Sequence, residues 1–151
     1  RVITFNEKNL NLIIPSKIKF TDNDIKILDI FKNDYEKILK SIDEQDINSY
    51  MSFILEQLFA ANKYFNDEEP WKKKSDTLRL NTIIYVALEL IRKITIMLYP
   101  VIPESSLKVL NIFDIKEKDI KFDSIKNHLI LQKGLKIKKL NILFNKIEKN
   151  D

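Results

Sequence analysis

The chain has no cysteine, one glycine and four prolines in 151 residues. Without cysteine it forms no disulfide framework and no thiolate metal site. A single glycine, Gly134, leaves no material for a glycine-rich phosphate loop or for a series of tight hairpins, and the composition favours helices. The longest apolar stretches, such as Thr82 to Leu90, meet charge well before they could cross a bilayer, so no membrane partner is expected. No cationic leader with an apolar run and a small-residue cleavage site opens the chain, and a cytoplasmic location fits. The first residue is Arg1 rather than methionine, so the sequence is expected to begin inside a longer protein. His128 is the only histidine, and no paired-ligand spacing accompanies it; no metal is expected. Nucleophile–base–orienter chemistry would have to share that same histidine, so no catalytic residue is assigned. The chain by itself is not expected to be an enzyme.

What is present is a globular composition, 44% hydrophobic and 32% charged, long enough for one domain with a substantial core. The net charge of +4 is unevenly spread. Residues 116 to 151 carry ten lysines against five acids, whereas residues 1 to 115 carry sixteen basic and seventeen acidic groups. The basic excess therefore lies in the last quarter, where it could meet phosphates. A solvated lysine face has the same composition, and charge alone does not decide between them.

The apolar spacing is helical throughout. Thr21-Asp22-Asn23-Asp24 offers N-cap oxygens. Ile25, Leu28, Phe31, Tyr35, Ile38 and Leu39 then follow one helical face. A second helix starts near Asp46, with a stripe of Ile47, Tyr50, Met51, Ile54, Leu58, Ala61 and Phe65. It ends before Pro70, which lacks a backbone donor and disfavours helical geometry at Glu69. A third helix, from about Asp76 to Tyr99, is apolar on several sides and so is central. A short helix spans Glu104 to Leu110. Residues 112 to 133 are ambiguous between short helix and turn. The fold class is all-α, with a helical core over residues 1–111 and a C-terminal segment of the same domain over 112–151.

The informative segment is Ala61-Asn62-Lys63-Tyr64-Phe65-Asn66-Asp67-Glu68-Glu69-Pro70-Trp71-Lys72. Proline fixes the backbone beside the only tryptophan and so restricts where the indole points. A partly exposed, oriented indole is a platform for an unstacked base, the way single-stranded RNA loops are read. A tryptophan after a helix also packs onto its own bundle, and Asp67, Glu68 and Glu69 repel phosphate. Residue chemistry leaves both roles open.

The same residues carry a family resemblance. Asn62, Tyr64, Pro70 and Trp71 match the Asn-x-Tyr-x-x-x-x-x-Pro-Trp signature of the methionyl-tRNA synthetase anticodon-binding domain. Leu90 to Ser105 resembles that family's helix ending in a Pro-x-x-Pro-Glu turn, here Pro100, Pro103 and Glu104. Gly134-Leu135-Lys136-Ile137 and Leu143-Phe144-Asn145-Lys146-Ile147-Glu148 resemble its closing elements, with Asn145 where proline is common and Lys146 where arginine is. Lysine keeps the charge but loses the two-point fork.

The resemblance implies a helical bundle of the class Ia synthetase anticodon-binding type, whose C-terminal segment packs back toward a catalytic domain absent from this chain. It implies that Trp71 stacks on a base of the CAU anticodon of tRNA(Met), that Pro70 positions it, and that Arg1 contacts base or phosphate, with Lys72 and Lys73 as phosphate neighbours. Asn62 is expected to make an interhelical hydrogen bond and Tyr64 to pack its ring with a solvated hydroxyl. Arg92 is expected to pair with a buried carbonyl or acid. No cofactor is implied for this chain. ATP and Mg²⁺ belong to the catalytic domain in cis, in a parent that charges tRNA(Met) with methionine. The other readings are an anticodon-binding domain of a valine, leucine, isoleucine or cysteine enzyme, and a helical protein-interaction module with an exposed apolar groove.

Overall fold

The computed structural model describes residues 1–144. Six α-helices follow in order: α1 (Val2–Leu10), α2 (Asp22–Asn33), α3 (Tyr35–Asp43), α4 (Ile47–Asp67), α5 (Thr77–Leu98) and α6 (Pro103–Ile112). Short 3₁₀ turns cover Pro70–Lys72, Glu117–Asp119 and Phe122–Lys126. Among the described residues there is no strand, only one isolated antiparallel bridge between Ile13 and Lys136. Most of the closing element from Leu143 to Glu148, with Asn145 and Lys146, lies outside the described residues.

Local sequence sets the helix ends. The Thr21 hydroxyl accepts from the Asp24 amide while the Asp24 carboxylate accepts from the Thr21 amide, a reciprocal cap that starts α2. Asp46 and Asp76 cap α4 and α5 by accepting from the amides of Ser49 and Arg79, both at 3.0 Å. Pro103 opens α6 from the first turn, where its missing donor loses nothing. The central position expected for the third helix holds. Of the 22 residues of α5, 16 are buried, and α1, α2, α4 and α6 all pack on it.

Two expectations about helix faces need correction. The stripe from Ile25 to Leu39 is divided between two helices, because the chain turns at Asp34. Phe31, Tyr35 and Ile38 keep the same spacing on either side, so periodicity does not reveal the break. The turn brings Tyr35 against Phe122, with centroids 6.1 Å apart, and under the Lys126 ammonium. On α4, Ile47 projects from the first turn into solvent and Leu58 lies at the edge of exposure. Phe53, Gln57 and Tyr64 are buried instead, since the contact face follows α3 and α5 around the helix.

The segment after α6 is held by charge. Glu89, fully buried on α5, accepts from the amides of Ile130 and Leu131 at 2.8 and 2.9 Å and from Arg92 Nε at 2.7 Å. Arg92, also fully buried, donates to the Ser124 hydroxyl and to the carbonyls of Ser124 and Asn127, each at 3.1 Å. Lys93 donates to the carbonyls of Ile125 and Asn127. Burial, reinforced by the Arg92 guanidinium, lowers the Lys93 ammonium to about 7, against the opposing pull of Glu89 and Asp29. Ile125, Leu131 and Ile137 are consequently buried in the same core as the helices. Gly134 turns this segment back at φ 80, a left-handed conformation that glycine adopts without steric penalty, and its amide donates to the Ile14 carbonyl at 2.8 Å.

Removing the Glu89 carboxylate leaves Arg92 uncompensated and two amides unpaired. Glu89→Ala is therefore expected to destabilise the fold by about 3–5 kcal/mol in denaturant titration. Hydrogen exchange of Ile130 and Leu131 should rise more than that of the α4 amides. A loss under about 1 kcal/mol would mean that this buried pair contributes little.

Candidate nucleic-acid interface

The indole of Trp71 stands at the end of α4, on the 3₁₀ turn Pro70–Lys72. Glu68 caps α4, Glu69 takes the left-handed conformation at φ 43, and Pro70, which has no amide donor to continue the helix, opens the 3₁₀ turn. Pro70 is buried under this turn, while Trp71 is 40% exposed. One edge of the indole packs on Phe65, with centroids 6.2 Å apart and planes 66° apart. Phe65 in turn meets Phe5 of α1 edge-on at 6.0 Å.

Arg1 completes this corner. Its guanidinium lies 5.1 Å from the Phe65 centroid and 5.7 Å from that of Trp71, within the range of cation–π attraction. It donates to Asn66 Oδ1 at 2.5 Å. The amide oxygen carries no net charge, so the guanidinium is oriented without being neutralised.

The acids before Pro70 are each paired with a cation. Asp67 lies 2.5 Å from Lys63 Nζ, and Glu69 lies 2.7 Å from Lys72 Nζ. Glu68 lies 2.7 Å from Arg79 and 3.5 Å from Lys73 Nζ. The repulsion toward phosphate that these three carboxylates would exert is thus largely cancelled at short range. Lys72 and Lys73 are drawn into the turn by these pairings, and Lys73 also donates to the Glu68 carbonyl.

Below the turn is a network that the sequence pattern does not announce. Arg79 donates to both oxygens of Asp24, at 2.6 and 3.0 Å, and its Nε reaches Glu68 at 3.2 Å. The Tyr64 hydroxyl donates to Asp24 at 2.6 Å. Burial acts to raise the Asp24 pKa, but hydrogen bonds from Arg79, the Thr21 amide and Tyr64 outweigh it and hold the carboxyl below its ordinary 3.8. Burial and Asp24 push the Tyr64 phenol far above its usual range, so the hydroxyl stays a donor.

The residues singled out from sequence thus divide. Arg1, Pro70 and Trp71 come together with Lys72 at one corner of the bundle. Arg92 lies elsewhere, in the clamp on the C-terminal segment. Tyr64 is structural but not solvated: its hydroxyl is buried against Asp24. Asn62 is exposed and makes no side-chain hydrogen bond among the described residues. The interhelical bond expected of it belongs to Asn66, one turn later on the same face. Asn66, Phe65, Asp24, Glu68 and Arg79 were not assigned to the site from sequence. The available signal was Arg79, one of three arginines, placed in the first turn of a largely apolar helix.

Arg1 also borders a depression of about 750 Å³ between α1, α4, α5 and α6. Its walls are mainly apolar, with Ile94, Leu98, Ile102 and Val109 among them, and residues 139–144 run along its rim. Among the described residues no helix is long and apolar enough to cross a membrane, and no group of three or more metal-ligating side chains occurs.

An indole held at the edge of a helical bundle, half open to solvent and flanked by an unneutralised guanidinium, defines a module able to stack on nucleobases. Residues 14–151 match the family described as the anticodon binding domain of methionyl tRNA ligase, and the chain belongs to that family. It is 35% identical over 150 residues to the methionine–tRNA ligase of Nanoarchaeum equitans, covering 99% of this chain and 18% of that protein. With the enzyme of Brucella suis it shares 34% over 113 residues, 74% of this chain and 22% of that one. The methionyl-tRNA synthetase of Mycobacterium tuberculosis in its free form superposes with a TM-score of 0.88 at 25% identity, covering 98% of this chain and 30% of that chain. The same enzyme bound by methionyl-adenylate gives 0.87 at 26% identity, with 96% and 29% covered. The chain thus spans about a fifth of the length of the curated relatives it matches. These relatives favour the methionine type over the valine, leucine, isoleucine and cysteine types.

Because the folded Asp24 pKa lies below the ordinary value, its contribution to stability is present above about pH 4 and is lost as pH falls through the folded value. The stability gap between the native protein and Asp24→Asn, measured in urea, is expected to narrow as pH drops from about 5 to about 2. A gap that stays constant over that window would show that the carboxylate's charge is not what Arg79 and Tyr64 hold.

Proposed function

We propose that this chain reads the CAU anticodon of tRNA(Met) as the C-terminal domain of a cytoplasmic methionine–tRNA ligase, with Trp71 stacking on an anticodon base. The observation that carries this reading is the half-exposed indole fixed between Pro70, Phe65 and the Arg1 guanidinium. Family membership supports the choice of anticodon, since a methionine enzyme serves a CAU-bearing tRNA. Pro70 sets the indole's position, and Arg1 contacts the stacked base or the adjoining phosphate. Lys72 and Lys73, which follow Trp71 in the chain, exchange their carboxylate partners for phosphate oxygens as RNA arrives. Tyr64 and Arg92 act in support of the fold rather than in stacking.

In this reading residues 1–111 form the binding core, and residues 112–151 form a closing segment directed toward the catalytic domain in cis. Methionine activation with ATP and Mg²⁺, followed by transfer to tRNA, belongs to that catalytic domain. The helical domain supplies anchoring and discrimination, because the anticodon is the part of the tRNA that names the amino acid.

Binding of anticodon stem-loops to the full-length protein tests the reading. Trp71→Ala is expected to weaken CAU binding by about 1–3 kcal/mol while leaving the melting temperature close to native. Equal, weak and fully salt-sensitive binding of CAU and scrambled loops would overturn the claim of specificity. Unfolding by Trp71→Ala would show the indole to be core instead.

A further inference from the structure

One face of α4 leads away from the Trp71 corner and is left uncovered among the described residues. Leu55, Phe59, Asn62 and Asn66 are separated by four, three and four residues, which places them in one line along the helix. All four are exposed, and Phe59 is 72% exposed, more than any other aromatic among the large exposed hydrophobic residues. None of the four carries a formal charge. Asn66 already holds Arg1, and Asn62 shares with Arg1 the rim of the same depression. The line is therefore continuous with the indole and guanidinium.

We propose that Phe59 and Asn62 form a second nucleobase subsite, which takes another unpaired base of the loop whose base stacks on Trp71. This deepens the anticodon-binding reading and rests on it. Phe59 and Asn66 are seven residues apart, about 10 Å along the helix at 1.5 Å per residue. A single strand covers that distance in roughly three nucleotides when stacked at about 3.4 Å each, and in fewer when splayed. The span thus suits two bases of one anticodon loop.

An exposed phenyl ring offers the base a π-face, as Trp71 does. The Asn62 amide, one turn further on and carrying both donors and an acceptor, reaches the edge of a base laid on that ring. The lack of charge along the line fits bases rather than phosphates. The flanking charges are Glu56, and Lys63 already paired with Asp67, so the phosphates run outside this face.

The test is titration of CAU stem-loops onto the full-length protein and its Phe59→Ala, Phe59→Tyr and Asn62→Ala variants, at several salt concentrations, with Trp71→Ala in parallel. Phe59→Ala should weaken binding about tenfold, with Phe59→Tyr restoring it, because either ring stacks. The salt slope should not change, since no phosphate contact is lost. Asn62→Ala should reduce discrimination between CAU and loops altered at one neighbouring base, with little change in the melting temperature.

Native-like affinity of Phe59→Ala, beside a Trp71→Ala variant that binds poorly, would overturn the second subsite while leaving the first intact. If neither variant affected binding, the anticodon reading itself would fail. A change in oligomeric state with RNA affinity unaltered would assign the face to protein contact and would also overturn the proposal.

Discussion

The position of the indole depends on Arg79. Its guanidinium binds Asp24 at the start of α2 and Glu68 at the end of α4 while standing in the first turn of α5. Three helices are fastened at one point, and the next residues in the chain are Glu69, Pro70 and Trp71. A guanidinium suits this task because its planar fork presents donors in several fixed directions at once. A lysine at the same place would satisfy one carboxylate and leave the other to water. Tyr64 and the Thr21 amide occupy the remaining capacity of Asp24, one on each oxygen, so the anchoring carboxylate is paired on both sides.

A second buried charge system does the corresponding work at the other end of the chain. Glu89, Arg92 and Lys93 turn the most apolar helix into an attachment strip for backbone that has no regular partner. An apolar core would bury Ile125 and Leu131 equally well but would leave the carbonyls and amides around them unsatisfied, which is costly in a dry interior. Charged side chains reach those groups in a loop whose own geometry offers few internal hydrogen bonds. Stability and register are thereby supplied together.

Much of this was legible in the sequence, for reasons that differ by element. The central helix could be read because apolar residues surround it and Pro100 and Pro103 terminate it. The α4 terminus could be read because Pro70 forbids continuation. The division at Asp34 could not, since two helices joined by one turn residue preserve the spacing of a single stripe. Trp71 was singled out by its motif and Arg1 by the family resemblance, and the fold brings the two within cation–π distance. The pairing of Asp24, Glu68 and Arg79 was hidden because its members lie as many as 55 residues apart and only the fold brings them together. Asn62 and Asn66 illustrate the limit of motif reading. Both lie on one face, and the bond assigned to the first is made by the second, because Arg1 enters nearer the helix end.

The most direct test uses the fact that Trp71 is the only tryptophan, so the emission of the native protein reports on this one ring. Titration with a CAU stem-loop is expected to quench a partly solvent-exposed emission in a saturable way, while a scrambled loop at the same concentration leaves it nearly unchanged. A blue-shifted emission indifferent to both RNAs would place the ring against protein rather than nucleobase, contradicting its role as the stacking platform.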